Sequence, residues 1–208
     1  EYGDVILPFT VLRRLDCTLE SHKDEVYEIY EKYKSQVDDP TPIILNKINT
    51  NFFNHSKYDL TRLKSDPQNI NLNFQNYIGG YSDNVVEIIE NFQFDKPVQK
   101  LHKSNRLYQL IDKFTEVDLH PDVISNRDMG IIFEELLRKF SEMSNETSGE
   151  HYTPRDIVRL LVSFVFEKDR EELQGVGNVR SVYDPCCGSG GMLTIGEQYI
   201  HDNINDKV

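Results

Sequence analysis

Apolar residues recur along most of this chain at helical rather than strand spacing. Val5, Phe9, Leu12, Leu15 and Leu19 are separated by four, three, three and four residues, which sets them on one helical face. Pro8 suits that helix only near its first turn. Ser21 is positioned to cap a second helix, with Asp24 and Glu25 in its first turn and Val26, Tyr30, Tyr33 and Val37 as its stripe. Thr41-Pro42 reads as an N-cap followed by proline at the first helical position, ahead of Leu45, Ile48 and Phe52. Asp66-Pro67 repeats the device before Ile70, Phe74 and Tyr77, and Gly79-Gly80 stops that helix. Val85, Ile88, Ile89 and Phe92 predict another helix, and Leu107, Leu110, Ile111, Phe114 and Val117 the next. Ser125 and Asp128 form a capping pair before the densest stripe: Met129, Ile132, Phe133, Leu136, Leu137 and Phe140. All these stripes are expected to pack a core.

The pattern changes at Ser144. Ser144 to Gly149 is small and polar, a loop or linker. Thr153-Pro154-Arg155-Asp156 then predicts a helix with Thr153 as N-cap, Pro154 first and Asp156 at the third position. Ile157, Leu160, Leu161 and Phe164 are its expected buried face. Glu167 to Gly177 reads as a charged surface connection. Val179 to Tyr183 is the one predicted strand. It runs into Asp184-Pro185-Cys186-Cys187-Gly188-Ser189-Gly190-Gly191, and a helix bearing Met192, Ile195 and Tyr199 follows.

Composition narrows the function classes. With 23 basic and 35 acidic residues in 208, the net charge is −12. Such a surface repels polyphosphate, so a free-standing electrostatic DNA binder is excluded; a nucleic-acid role needs a local basic patch or a basic partner. Apolar residues at 38% and aromatics at 11% suffice for a core. Three cysteines, two adjacent, make no disulfide framework, which points to a reducing cytoplasm. No apolar run approaches the roughly 20 residues of a membrane helix, and no signal peptide is visible. Starting at Glu1 rather than Met is what a trimmed chain would show.

Strand, acid, glycine turn and helix in succession open a nucleotide-binding α/β domain. Glycines let the backbone turn sharply and approach a ligand, and the helix start offers unpaired N–H groups. A P-loop would need a lysine after the glycines, and none follows. A dinucleotide fingerprint would need a third glycine, and Leu193 stands there. Asp184 inside the motif disfavours a pyrophosphate and suits an ammonium or sulfonium; S-adenosylmethionine carries both. A tight turn without a ligand is the remaining reading. Cys186 and Cys187 lack the spacing of a zinc site and read as small residues in a tight turn; nothing in the sequence supports a Cys–His pair with His151.

Asp184 to Leu193 resembles the S-adenosylmethionine loop of N6-adenine DNA methyltransferases. Gly149-Glu150-His151-Tyr152-Thr153-Pro154-Arg155 resembles the element preceding it in modification (M) subunits of type I restriction-modification systems. Gly130 to Leu137 and Val5 to Leu15 match the same family, so the resemblance spans nearly the whole chain. It implies a mainly α chain: a helical N-terminal domain (1–143), then the opening strand and helices of a Rossmann-like methyltransferase domain (144–208). It implies methyl transfer from S-adenosylmethionine to adenine N6 in DNA. Carried over by position, Glu150, His151, Tyr152, Thr153, Pro154 and Arg155 would line the cofactor site near its methionine part. Asp184 would meet the charged amino acid end, and Gly188, Ser189, Gly190 and Gly191 would wrap it through backbone. The implied partners are a specificity (S) subunit, a restriction (R) subunit, a second M subunit and double-stranded DNA, in the cytoplasm. Reading of bases by a separate subunit would explain the acidic balance.

The family's catalytic Asn/Asp-Pro-Pro-aromatic tetrapeptide has no counterpart here. Nor does the acidic residue expected after a second strand. The expectation is therefore an N-terminal part of an M subunit, inactive alone and a weak cofactor binder. A non-catalytic helical interaction module is the alternative. A further one keeps the cofactor but acts on RNA or protein.

Overall fold

The computed structural model describes residues 3–143 and 153–205, except 176, 178 and 189 and the side chains of 141 and 142. The linker read at 144–149, together with Glu150, His151, Tyr152 and Ser189, lies outside the described residues. The chain divides into two compact units, Glu1–Phe133 and Glu134–Val208. The described residues are mainly helical.

The first unit is built from α1 (Gly3–Leu19), α2 (Lys23–Tyr33), α3 (Thr41–Ile48), α4 (Leu60–Leu63), α5 (Ile70–Gly79), α6 (Asp83–Asn91), α7 (Asp95–Lys103) and α8 (Leu107–Thr115). The division between units falls within α9 (Asn126–Met143). Phe9 sits at the centre of the core, fully buried, its ring 5.6 Å from Phe74, 5.2 Å from Phe94 and 5.3 Å from Phe114. Leu12, Ile44, Leu60, Leu63, Tyr77, Leu107 and Ile111 close around it. The α5 stripe thus buries as its spacing predicts; the α1 and α8 stripes bury at Phe9, Leu12, Leu19, Leu107 and Ile111 and half-bury at Val5, Leu15, Leu110 and Phe114, whereas Val37, Ile88 and Val117, expected in the core, are exposed. Removing this apolar area from water is the main force holding the helices together.

Several helix starts differ from expectation. A 3-10 turn, Glu20–His22, takes up Ser21, and α2 begins at Lys23 with no side-chain cap. At α3 the Asp39 side chain accepts the Thr41 N–H at 2.9 Å, so the capping oxygen comes from two residues before Thr41. Asp66 does cap, at the 3-10 turn Pro67–Asn69 that leads into α5. Ser125 and Asp128 also pair as expected, with the Asp128 N–H donating to Ser125 Oγ at 3.1 Å. Pro8 lies inside α1 beyond its first turn, and its ring is buried in the core.

Gly80 ends α5 for a reason beyond conformation. A Cβ there would meet Ser56 Cβ at 2.6 Å and Asn54 Oδ1 and Ser56 N at 2.7 Å; at Gly79 it would meet nothing. The backbone at Gly80 is drawn in by an isolated antiparallel bridge between Asn54 and Tyr81, flanked by His55 N–H to Gly80 O at 2.7 Å and Ser82 N–H to Phe53 O at 3.0 Å.

A polar cluster crosses this core. Asp16, on the apolar side of α1, accepts the Leu60 N–H and the Tyr77 hydroxyl, each at 3.2 Å. The Tyr77 and Tyr81 hydroxyls lie 2.6 Å apart. Buried Lys23 donates to Asn54 Oδ1 at 3.1 Å, and Arg13 lies 3.6 Å from Asp16. Burial, with the nearby Asp59 carboxylate, pushes the Asp16 carboxyl up to about 6. Burial also pushes the Lys23 ammonium down to about 8, against the attraction of Asp16 and Asp59.

Two α1 arginines hold the segment after α8. Arg13 Nε donates to Val117 O at 2.7 Å. Arg14 reaches Leu119 O at 2.6 Å, Ile124 O at 2.7 Å and Asn126 Oδ1 at 2.7 Å. Three of the segment's carbonyls thereby find side-chain donors in place of a secondary-structure ladder.

The second unit contains α10 (Arg155–Glu167), α11 (Arg170–Leu173) and α12 (Gly191–Asn203). The surface connection read at Glu167 to Gly177 therefore holds one helical turn, anchored by buried Leu173. The predicted strand at Val179 to Tyr183 is corrected. This segment pairs with no neighbour among the described residues, and Val179 and Tyr183 are 92% and 85% exposed. A strand exists through its ladder, and its side-chain alternation alone does not create one.

Candidate functional site

The glycine turn leads directly into α12. Asp184, half-buried, folds its Oδ1 back onto the Cys186 N–H at 3.0 Å, an Asx turn that starts the bend. Gly190 N–H donates to Cys187 O at 2.8 Å and closes it. Gly188 and Gly190 have φ of +52° and +79°, a region costly for residues with a Cβ. Gly190 is the N-cap of α12, and no side chain caps the helix. The first helical residue, Gly191, likewise carries no side chain beside the first-turn N–H groups. Cys186 and Cys187 are exposed in the turn. Among the described residues no cluster of three or more His, Cys, Asp or Glu could hold a metal.

The other predicted element starts one residue later than its sequence suggests. Helix α10 begins at Arg155, its N-cap is Pro154, and no side chain caps it, so Thr153 is exposed and does not cap. Arg155 is half-buried and its Nε pairs with Glu134 Oε2 of α9. Glu134, 12% exposed in its side chain, is a partner the sequence reading did not single out. It sits in the block Gly130 to Leu137, an acid beside Phe133 in an apolar stripe, which was the available signal.

Helices α10 and α12 pack side by side. Gly196 lies against the Phe166 ring, where a Cβ would approach within 2.9 Å of Cε2. Tyr199 OH donates to Glu167 Oε2 at 3.2 Å, and Arg170 Nη1 to Asn203 O at 3.0 Å. The paired residues rise together, Phe166 with Gly196, Glu167 with Tyr199 and, in α11, Arg170 with Asn203, so the two stretches of chain run in the same direction along this contact. The uncapped N-termini of α10 and α12 therefore lie toward the same end of the pair. From the Phe166–Gly196 contact, α10 extends back about 16 Å and α12 about 8 Å.

The expected buried face of α10 is corrected. Val158, Val162 and Phe166 form the small core with Leu173, Ile195 and Ile200. Ile157, Leu160, Leu161 and Phe164 are instead 45–70% exposed, and Val165 is exposed with them. The helix is apolar on two sides, and the described neighbours cover one.

The site residues belong to a recognisable class of protein. Residues 125–208 match the N-6 DNA methylase family. Residues 1–114, over half the chain, match the HsdM N-terminal domain. The chain belongs to the HsdM family of type I restriction-modification methylase subunits. It is 27% identical over 205 residues to the MjaIX methylase subunit of Methanocaldococcus jannaschii, covering 93% of this chain and 35% of that protein. It is 33% identical over 97 residues to the EcoEI methylase subunit of Escherichia coli, covering 47% of this chain and 17% of the other. The MjaVII methylase subunit of Methanocaldococcus jannaschii is 28% identical over 139 residues, 65% of this chain and 22% of that one. The chain thus spans about a third or less of the length of these relatives. No solved structure matches it significantly.

Proposed function

We propose that this chain contributes the cofactor-binding wall of a methyltransferase that moves a methyl group from S-adenosylmethionine to adenine N6 in DNA. The observation that carries the reading is the parallel packing of α10 and α12. It turns two uncapped helix starts toward one end of the pair, with an acidic glycine turn at one of them. Such N–H groups suit the cofactor carboxylate. The Asp184 carboxylate suits its ammonium group. Gly188, Gly190 and Gly191 would wrap it through backbone, with Thr153 and Pro154 beside it. Glu150, His151, Tyr152 and Ser189 join the site on sequence alone. Arg155 acts through Glu134, holding the start of α10.

The two apolar sides of α10 support the same reading. A helix apolar on both sides packs between two layers, as in an α/β domain with a covered sheet. The acceptor chemistry needs an Asn/Asp-Pro-Pro-aromatic group that residues 1–208 do not contain. By themselves they are expected to transfer no methyl group, and to work in the cytoplasm with the specificity and restriction subunits and a second copy of the M subunit.

Amide chemical-shift mapping of residues 1–208 with S-adenosylmethionine tests the proposal. Shifts at Thr153, Arg155 and Gly188 to Gly191, lost in Asp184→Ala, are expected at millimolar cofactor. Shifts confined to residues before Phe133, or produced equally by NAD, would refute it. Labelled methyl transfer to duplex adenine by residues 1–208 alone would refute the assignment of acceptor chemistry elsewhere.

A further inference from the structure

The −12 charge is not evenly spread. Four of the 23 basic residues and none of the 35 acidic ones fall between Lys96 and Ile111. In space they stand together. Helix α7 buries Val98 against the core and half-buries Leu101. On its outer side Lys96, Gln99, Lys100, Lys103 and Ser104 line one shallow depression, all exposed. Arg106 follows in the turn to α8, just after Asn105, whose φ of +55° makes the bend. Among the described residues Lys96, Lys103 and Arg106 make no ion pair.

Helix electrostatics account for only part of this. Lys100 and Lys103 in the last turn complement the negative end of the helix dipole. Lys96 lies in the first turn, where the dipole disfavours a cation, and Arg106 lies beyond the helix. The remaining pattern calls for an external anion. Lys96, Lys100 and Lys103 are spaced by about 6 and 4.5 Å along the axis, about 10 Å in all, the axial rise of roughly three phosphates on one duplex strand. Lysines on flexible stems, flanked by the Gln99 amide and the Ser104 hydroxyl, suit phosphate oxygens and carry no means of reading bases. The acidic remainder of the surface would repel the duplex elsewhere and leave this face as the point of approach.

We propose that the outer face of α7 and the α7–α8 turn, Lys96, Lys100, Lys103 and Arg106, grips the DNA backbone independently of sequence. The inference rests on DNA being the substrate, as in the preceding section.

Fluorescence anisotropy of residues 1–208 with a 30-base-pair duplex, from 20 to 200 mM salt, tests it. Binding should weaken steeply with salt. Lys96→Gln/Lys100→Gln/Lys103→Gln should lower affinity at least tenfold at 50 mM salt and flatten the log–log salt slope by about 2.7, near 0.9 per lost phosphate contact. The control Lys32→Gln/Lys47→Gln/Lys57→Gln, with equal charge change on the same unit, should keep the wild-type slope. An unchanged slope in the α7 variant overturns the proposal. So does equal competition by polyglutamate, which would make the face a contact for acidic protein. Cofactor-induced shifts measured in parallel keep the two readings apart. Loss of those shifts with lysine-dependent binding intact would sink the cofactor reading alone. Intact shifts with lysine-independent binding would sink this one alone.

Discussion

Replacing Asp16 by asparagine should stabilise the N-terminal unit at neutral pH. The carboxyl has an ordinary value of 3.8 and is pushed up to about 6 by burial and by Asp59, against the Leu60 N–H and the charges of Lys23 and Arg13. The folded state therefore binds this proton more tightly than the unfolded chain. Its contribution is fully present below pH 3.8 and is lost as the pH rises through about 6. The gap corresponds to about 3 kcal/mol of destabilisation at pH 7 and above. Asparagine cannot ionise and is nearly the same shape. Its carbonyl can take the Leu60 N–H, and its amide can donate to Tyr77, which then donates to Tyr81. The charge-assisted quality of those bonds is lost at about 1 kcal/mol. A net gain of about 1–3 kcal/mol is expected at pH 7.5. Urea unfolding followed by helical circular dichroism, at half-unit steps from pH 4 to pH 8, would read it. Because every other carboxylate titrates in both proteins, the difference between them isolates this site. It should shrink as the pH falls through 6 and vanish or reverse near pH 4. A variant less stable than wild type at pH 7.5 would show that the buried charge is net favourable through Lys23 and Arg13, and the reasoning would fail.

Two further outcomes follow from geometry. Gly80→Ala should cost about 1–3 kcal/mol in urea unfolding, because its Cβ meets backbone at 2.7 Å. Gly79→Ala, one residue earlier with open space, should be neutral or stabilising by about 1 kcal/mol. In the second unit Val162→Ala should lower the thermal midpoint, losing about 2 kcal/mol of packing, while Leu160→Ala should leave it unchanged and reduce binding of a hydrophobic dye. Equal effects at the two positions would mean the exposed side of α10 is packed after all.

Much of the helical unit was legible because its stripes are narrow. In α5, Ile70, Phe74 and Tyr77 leave one way to face a core, and all three bury. Helix α10 defeats the same reasoning. Arg155 to Glu167 is apolar over more than half its circumference, so periodicity offers two faces and only tertiary partners choose between them. Caps failed where the donor's partner comes from the preceding loop, as with Asp39 at α3. Gly80 was read as a stop, but its close approach depends on Asn54 and Ser56, distant in sequence. Asp16 did leave a signal: an acid four residues after Leu12 and three before Leu19 lies within the apolar stripe. The glycine turn was legible by composition, because positive φ at Gly188 and Gly190 is a local demand. The parallel approach of α10 and α12 was not, since it depends on Gly196 meeting Phe166.

The arginine grip of α1 sets an order of events during synthesis. Its partners lie 102 to 112 residues downstream. At 5–20 residues per second the ribosome takes roughly 5–20 s to deliver them after α1 has emerged. Throughout that interval Phe9 and Leu12 lack the α8 residues they pack against, and Arg13 and Arg14 have no carbonyls to hold. Helix α1, made before the other helices of its unit, is thus among the last of them to be secured, and the unit has a window during synthesis in which chaperones, or another nascent copy, can reach its core.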